Sequence, residues 1–253
     1  MFGNLFRNLP PVTKNLLIIN VLIFIVMALA PGIGTVLDRW GALYYIEWPQ
    51  FRAWQPVTYM FLHGGFTHLF FNMFALLMFG GIIEWTLGSK RFLLFYLSCG
   101  IGAAIVQEGV YAAMVSHYYT ILGDESASYL MTHGFKAITE QSMSLRLLNI
   151  LSEPAAQNLL ALSATPTVGA SGAIYGILLA FGMLYPNREL YIMFVPVPIK
   201  AKYMVIGYGV LELLLGVSGS ADGVAHFAHL GGMIFGFLLL LYWKKRGDFR
   251  GWY

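Results

Sequence analysis

Gly169-Ala170-Ser171-Gly172 and Ala228-His229-Leu230-Gly231-Gly232-Met233-Ile234-Phe235-Gly236 place a serine and a histidine inside stretches otherwise apolar enough to lie in a membrane. Polar side chains are costly there and need a reason. One reason is chemical: an imidazole next to a hydroxyl can take its proton and leave an activated nucleophile.

The composition supports the membrane setting. Of 253 residues, 58% are hydrophobic and 11% charged, and the mean hydropathy is +0.68. Soluble domains carry about 25% charged residues, so this chain lacks the charge to cover a water-facing surface. Hydrophobicity and breakers predict six spans, at about 15–30, 57–80, 91–115, 170–185, 203–217 and 225–243. The first run, starting after Asn15 and followed by Pro31-Gly32-Ile33-Gly34, reads as a retained span and not as a cleaved signal. Cys99 is the single cysteine, which excludes an intramolecular disulfide and any Cys-Cys or Cys-His metal pattern.

Six spans put both termini on one side. Arg7, Lys14, Lys90, Arg91, Arg188, Lys200, Lys202, Lys244, Lys245, Arg246 and Arg250 fall on that side, against Arg39, Arg52, Lys136 and Arg146 on the other. The positive-inside bias therefore predicts cytoplasmic termini. Trp243-Lys244-Lys245-Arg246 reads as a basic interfacial stop, and nothing in the chain points to nucleic acid.

The fourth span, from about Ser171 to Tyr185 before Pro186, reaches only ~22 Å as a helix, less than the ~30 Å of hydrocarbon. Ser171 is thus expected below the outer surface, at the start of a short helix. Unpaired N–H groups and the positive dipole end there suit an oxyanion. Gly169 and Gly172 permit a sharp turn and close approach of a substrate backbone. In the sixth span His229, Gly232 and Gly236 share a stripe, and Gly172 with Gly176 forms a matching small-residue pair in the fourth. The glycines could merely pack helices while the serine bonds its own backbone. A histidine on the matching face tips the balance toward a Ser171–His229 pair. His68 and Asn72, one turn apart at the outer end of the second span, can donate hydrogen bonds to a tetrahedral oxyanion or clamp two helices together.

Taken together, these motifs resemble the rhomboid intramembrane serine proteases: HxxxxHxxxN at His63, His68 and Asn72, GxSG at Ser171, and AHxxGxxxG from Ala228 to Gly236, on the second, fourth and sixth spans. The resemblance covers the chain except for about 111–165. It implies an all-α, polytopic membrane protein with a six-helix transmembrane rhomboid-like bundle. The chain then reads as a single domain over 1–253 with an external insertion at about 116–165. The resemblance also implies a Ser171–His229 dyad without a carboxylate, an oxyanion site of His68, Asn72 and backbone N–H groups beside Gly169, and Tyr175 packed on the imidazole. Neither a cofactor nor a metal is expected. The expected partners are transmembrane protein substrates and the lipid bilayer, with substrate passing the fifth span and being cut near the outer face. Short termini without a transit segment favour a bacterial inner membrane.

Two departures stand out. Where the family often has Trp-Arg after the first span, this chain has Trp54-Gln55, with Arg52 nearby; and residues 117–165 form a long external stretch. That stretch contains a candidate amphipathic helix with Met143, Leu147, Ile150 and Leu151 on one side, and Pro154 could open another. His226 reads as an exposed or structural histidine, and His63 as a residue ordering the loop. Asp222 could orient His229 but is expected to be a hydrated loop carboxylate. Glu108 and Glu212 are intramembrane acids and functional suspects for that reason. Glu84 is expected to cap the turn at Gly88 or pair with Lys90 or Arg91. Competing readings are an inert rhomboid-like protein that binds membrane clients, a transporter, for which no inverted repeat is evident, and a metal site of His63, His68, His226 and His229.

Overall fold

The computed structural model describes residues 8–140, 142–191, 197–218 and 225–247. Pro11 opens α1 (Pro11–Leu29), where a missing donor costs nothing because a first-turn N–H has no helical acceptor. Pro31 ends that helix and begins α2 (Pro31–Gly41). A loop then leads to the short α3 (Gln55–Thr58) and a 3-10 turn (Tyr59–Phe61). The second span is assembled from α4 (Phe66–Ala75), a π-helical turn (Leu76–Gly80) and α5 (Gly81–Leu87). Next comes α6 (Ser89–Leu122), whose 34 residues extend about 51 Å, well beyond a ~30 Å hydrocarbon layer. Beyond it α7 (Asp124–Thr139), α8 (Leu145–Leu151) and α9 (Pro154–Ala164) close over a separate core that includes Leu130, Leu147, Leu159 and Leu160. The chain returns as α10 (Ser171–Leu184) and makes an antiparallel pair of β1 (Glu189–Tyr191) and β2 (Pro198–Lys200). It ends with α11 (Ala201–Ser218) and α12 (His226–Lys245).

Among the described residues, five helical stretches are long and apolar enough to cross a membrane: Pro11–Leu29, Phe66–Leu87, Ser89–Leu122, Ala201–Ser218 and His226–Lys245. The shorter apolar helix Ser171–Leu184 is the sixth segment of this all-α polytopic bundle.

The second span starts later than its hydropathy suggested. Tyr59, Met60 and Leu62 are apolar because they are buried in protein, and His63-Gly64-Gly65 separates them from α4. In the segment between α6 and α10, Leu147 is buried and Ile150 and Leu151 pack on the same core, whereas Met143 precedes the Ser144 cap of α8 and is exposed. Pro154 does open α9. No apolar run marks the polar α7 in the sequence, because its buried residues, which include Ala127, Leu130, Gly134 and Ala137, are too small and sparse to form one.

α10 lies at the centre, with ten of its fourteen residues buried. It packs on α12 and α6 with backbone close to backbone. A methyl at Gly232 would stand 1.8 Å from the carbonyl oxygen of Gly172, and one at Gly176 would stand 2.4 Å from Cys99 Sγ. Both glycine pairs proposed from sequence therefore lie in the packed seam.

The corner between α1, α5 and α6 is held by Glu84, which is almost wholly buried. Its carboxylate accepts from Val12 N at 3.0 Å, Thr13 N at 2.7 Å, Thr13 Oγ1 at 2.8 Å and Ser89 Oγ at 2.7 Å. It caps the first turn of α1, where orphan N–H groups and the dipole favour an anion. Its partners are thus backbone donors and hydroxyls, not the expected Lys90 or Arg91. Glu84→Ala should lower unfolding stability in micelles by about 3 kcal/mol, since one buried and one partly buried N–H lose their acceptor. Gly232→Ala should yield little folded protein. Gly109→Ala, where nothing lies within 4 Å of the added methyl, should leave the thermal midpoint unchanged or raised.

Candidate active site

Ser171 is the first residue of α10, and Ala170 precedes it as the cap. The N–H groups of this first turn have no carbonyl one turn earlier. Gly169 reaches the helix with φ +126°, a backbone that side chains other than hydrogen rarely tolerate. Its N–H donates to the Tyr59 carbonyl at 2.9 Å, and Thr167 exchanges two 2.9 Å backbone bonds with Leu43. These contacts, with the Tyr111–Thr167 hydroxyl pair at 2.7 Å, hold the approach to Ser171.

His229 sits one turn into α12, buried at 7% exposure. Its Nε2 lies 2.8 Å from Ser171 Oγ, while Ser171 remains partly exposed. The Tyr175 ring stacks on the imidazole with centroids 4.2 Å apart and planes 7° from parallel. Serine, histidine and tyrosine thus meet at one point, although 58 residues separate the first two.

His68 lies on the other side of Gly169. A methyl at residue 169 would stand 2.7 Å from His68 Nε2 and 3.5 Å from Ser171 Oγ. Glycine therefore keeps the gap between the imidazole and the serine open. Asn72 follows one turn later, buried, and its Nδ2 donates to the His68 carbonyl at 3.0 Å. One amide hydrogen of Asn72 is therefore used within α4 and a second is left for other acceptors. His63 is buried with its ring edge on His68 at 5.1 Å. Burial, with His68 alongside, pulls its pKa down to about 4, so it is neutral at physiological pH.

Glu212 was recognised in the sequence as an intramembrane acid but assigned no role. The structure brings it to the histidine. Its Oε2 is 3.0 Å from His229 Nδ1 and 2.6 Å from His226 Nδ1, and its Oε1 accepts from the Tyr175 hydroxyl. His226 is consequently buried and not exposed, contrary to one sequence expectation. The available signal was a single carboxylate in the apolar run of α11. Its partners could not be read because helix phase between α11 and α12 is not written in either segment. Asp222, the other candidate for orienting His229, lies outside the described residues. Glu108 Oε2 accepts from Ile46 N at 2.9 Å and so anchors the loop after α2.

That loop is held despite the Trp54-Gln55 departure. Gln55 Oε1 accepts from Tyr44 N at 3.3 Å and Nε2 donates to the Gln50 carbonyl at 3.0 Å. Trp54 Nε1 donates to the Trp40 carbonyl at 2.8 Å, and Arg52 lies over the Trp40 ring.

Among the described residues, Glu212, His226 and His229 form the group able to hold a metal ion, with ligand atoms within 4.8 Å of one another. These atoms already face each other at 2.6 and 3.0 Å, so an ion would have to part them. The quartet weighed from sequence does not form this group, because His63 and His68 sit together at the α4 side of Gly169.

Comparison with known proteins gives the family. The Rhomboid domain family matches residues 50–123 and 139–246. Rhomboid protease AarA of Providencia stuartii is 30% identical over 189 residues, 74% of this chain and 54% of the relative. RHOMBOID-like protein 5 of Arabidopsis thaliana is 27% identical over 217 residues, 85% of this chain and 53% of the relative. Rhomboid protease GluP of Bacillus subtilis (strain 168) is 27% identical over 190 residues, 73% of this chain and 25% of the relative. The chain thus spans about half or less of the length of these relatives. With the family match covering most of its residues and apolar helices long enough to cross a bilayer, this integral membrane protein belongs to the rhomboid family.

Proposed function

We propose that the protein is an intramembrane serine endopeptidase that cuts transmembrane segments of other proteins near the outer face. The observation that carries this reading is the 2.8 Å contact between Ser171 Oγ and His229 Nε2 inside an apolar bundle. In the proposed reaction the hydroxyl proton passes to Nε2 as Oγ bonds to the scissile carbonyl carbon, whose oxygen becomes the oxyanion. His229 then gives its proton to the leaving amine, and the acyl-serine forms. Water, deprotonated by His229, attacks the ester, and Ser171 recovers its proton as the acid product leaves.

The oxyanion is assigned to the gap beside Gly169, between His68 Nε2 and Ser171, with the first-turn N–H groups of α10 and the second hydrogen of Asn72 as further donors. Tyr175 supports the imidazole face. Substrate must present an extended strand here, and unwinding a helix in lipid strips its backbone groups of partners. Segments with Gly, Pro or small residues near their outer end should therefore be cut best. The Lys/Arg bias supports cytoplasmic termini, and the proposed setting is a bacterial inner membrane. The domain assignment follows: one rhomboid-like unit, with about 116–165 as an external insertion ahead of Ser171.

Purified protein should label with a fluorophosphonate and cleave a transmembrane substrate, and Ser171→Ala or His229→Ala should abolish both. Undiminished cleavage by Ser171→Ala would end the serine-protease reading. Wild-type protein that neither labels nor cleaves, yet captures membrane spans, would indicate an inert relative. His68→Ala and Asn72→Ala should each lower kcat by roughly 100-fold, the scale of losing one oxyanion donor. Gly169→Ala should abolish activity, because it both strains the backbone and fills the gap.

A further inference from the structure

The geometry points to Glu212 as a positioning residue that holds His229 in the tautomer a general base needs, so that the site works as a serine–histidine–carboxylate relay of positions and not as a bare dyad. This inference rests on the proposed role of Ser171 and His229.

To accept the serine proton, Nε2 must carry none, which requires the hydrogen of a neutral imidazole to sit on Nδ1. A buried Nδ1–H needs an acceptor. His229 Nδ1 is buried, and Glu212 Oε2 lies 3.0 Å away. The contact is off-axis for a hydrogen bond, so Nδ1 has no aligned partner in this resting arrangement. Resting catalytic contacts are commonly loose and tighten when substrate is bound.

The groups facing the imidazole make the assignment specific. From α10 comes Tyr175, stacked on the ring and donating to Glu212 Oε1. From α12 comes His226, on Glu212 Oε2 at 2.6 Å. From α4 comes His68, which Gly169 separates from Ser171. Tyr208 of α11 lies edge-on to Tyr175 with centroids 6.5 Å apart. Among these, only Glu212 carries the negative charge that opposes the imidazolium formed when Ser171 attacks. Tyr175 and His226 fix the carboxylate before the proton moves, which is how a third group orients a base in serine hydrolases of other folds.

The decisive variant is Glu212→Gln. Gln keeps the size and the oxygen that accepts from Tyr175, but its amide can donate to Nδ1 and so select the wrong tautomer. A merely structural Glu212 predicts little loss. A positioning Glu212 predicts kcat lowered about 100-fold or more with KM within about threefold. Nitrogen NMR of histidine-labelled protein, with His229→Ala assigning the signal, reads the tautomer without activity. The hydrogen is expected on Nδ1 in the wild type and on Nε2 in Glu212→Gln. A wild-type His229 protonated on Nε2 would overturn the inference even if the Gln variant fails to fold, as would unchanged kcat in a folded Gln variant. If Ser171→Ala cleaves normally, the protease reading fails, and the tautomer measurement still decides the Glu212–His229 contact.

Discussion

Everything in the site depends on the contact between the α10 and α12 backbones. With no Cβ on either side, Gly172 and Gly232 meet so closely that a methyl on Gly232 would overlap the Gly172 carbonyl. A methyl on Gly176 would in turn stand 3.1 Å from the Gly232 carbonyl oxygen, and one on Gly236 3.4 Å from Gly176 Cα. These contacts set both the separation and the rotation of one helix on the other. Ser171 is one residue before Gly172, and His229 is one turn before Gly232. Once the glycines are in register, the hydroxyl and the imidazole have nowhere else to point. In lipid, where apolar surface gains little by being buried against other apolar surface, such close packing is a main source of helix association. Packing and chemistry therefore share the same residues.

The buried acids show the second constraint. A carboxylate inside an apolar bundle must be satisfied by donors nearby. Glu84 takes two N–H groups of α1 and two hydroxyls. Glu108, only partly buried, takes the Ile46 N–H with one oxygen. Glu212 takes a phenol and faces two imidazoles. The first two serve backbone groups that have no other partner and so fix a helix end and a loop. Glu212 differs because its partners are side chains that can move protons.

Much of this was legible in the residues. Six apolar segments, the serine at the head of a short one, and glycines at helical spacing on the fourth and sixth spans lead directly to the observed seam. His68 and Asn72 could be set on one face of a helix by their spacing. What could not be read is where separate segments touch. Met60 and Tyr59 look lipid-facing by composition but are buried under α6, which placed the second span too early. α7 escaped notice because small residues make its inward face. Glu212 was visible as an anomaly, but its partners lie 14, 17 and 37 positions away on two other helices. Only tertiary packing determines that they converge.

Glu212 also bears on how a substrate could reach Ser171. Beyond Val205, it is the one buried residue among those described in α11. The start of α11 is seated by Ala201, Met204 and Val205; farther along, Tyr208 packs on Tyr175, Gly209 lies against Met233 and Gly216 against Phe227, and Glu212 adds the polar attachment. Seven residues separate Val205 from Glu212, about 10 Å of helix. A tilt of about 10° pivoting at Val205 would therefore shift Glu212 by nearly 2 Å, enough to break a hydrogen bond. Sideways displacement of α11 would open the bundle near Tyr175 and at the same time take the orienting charge from His229. On the proposed reading, passage of a substrate beside α11 and orientation of the base are mechanically linked: a helix displaced for entry would have to reseat Glu212 before His229 is again held as a base.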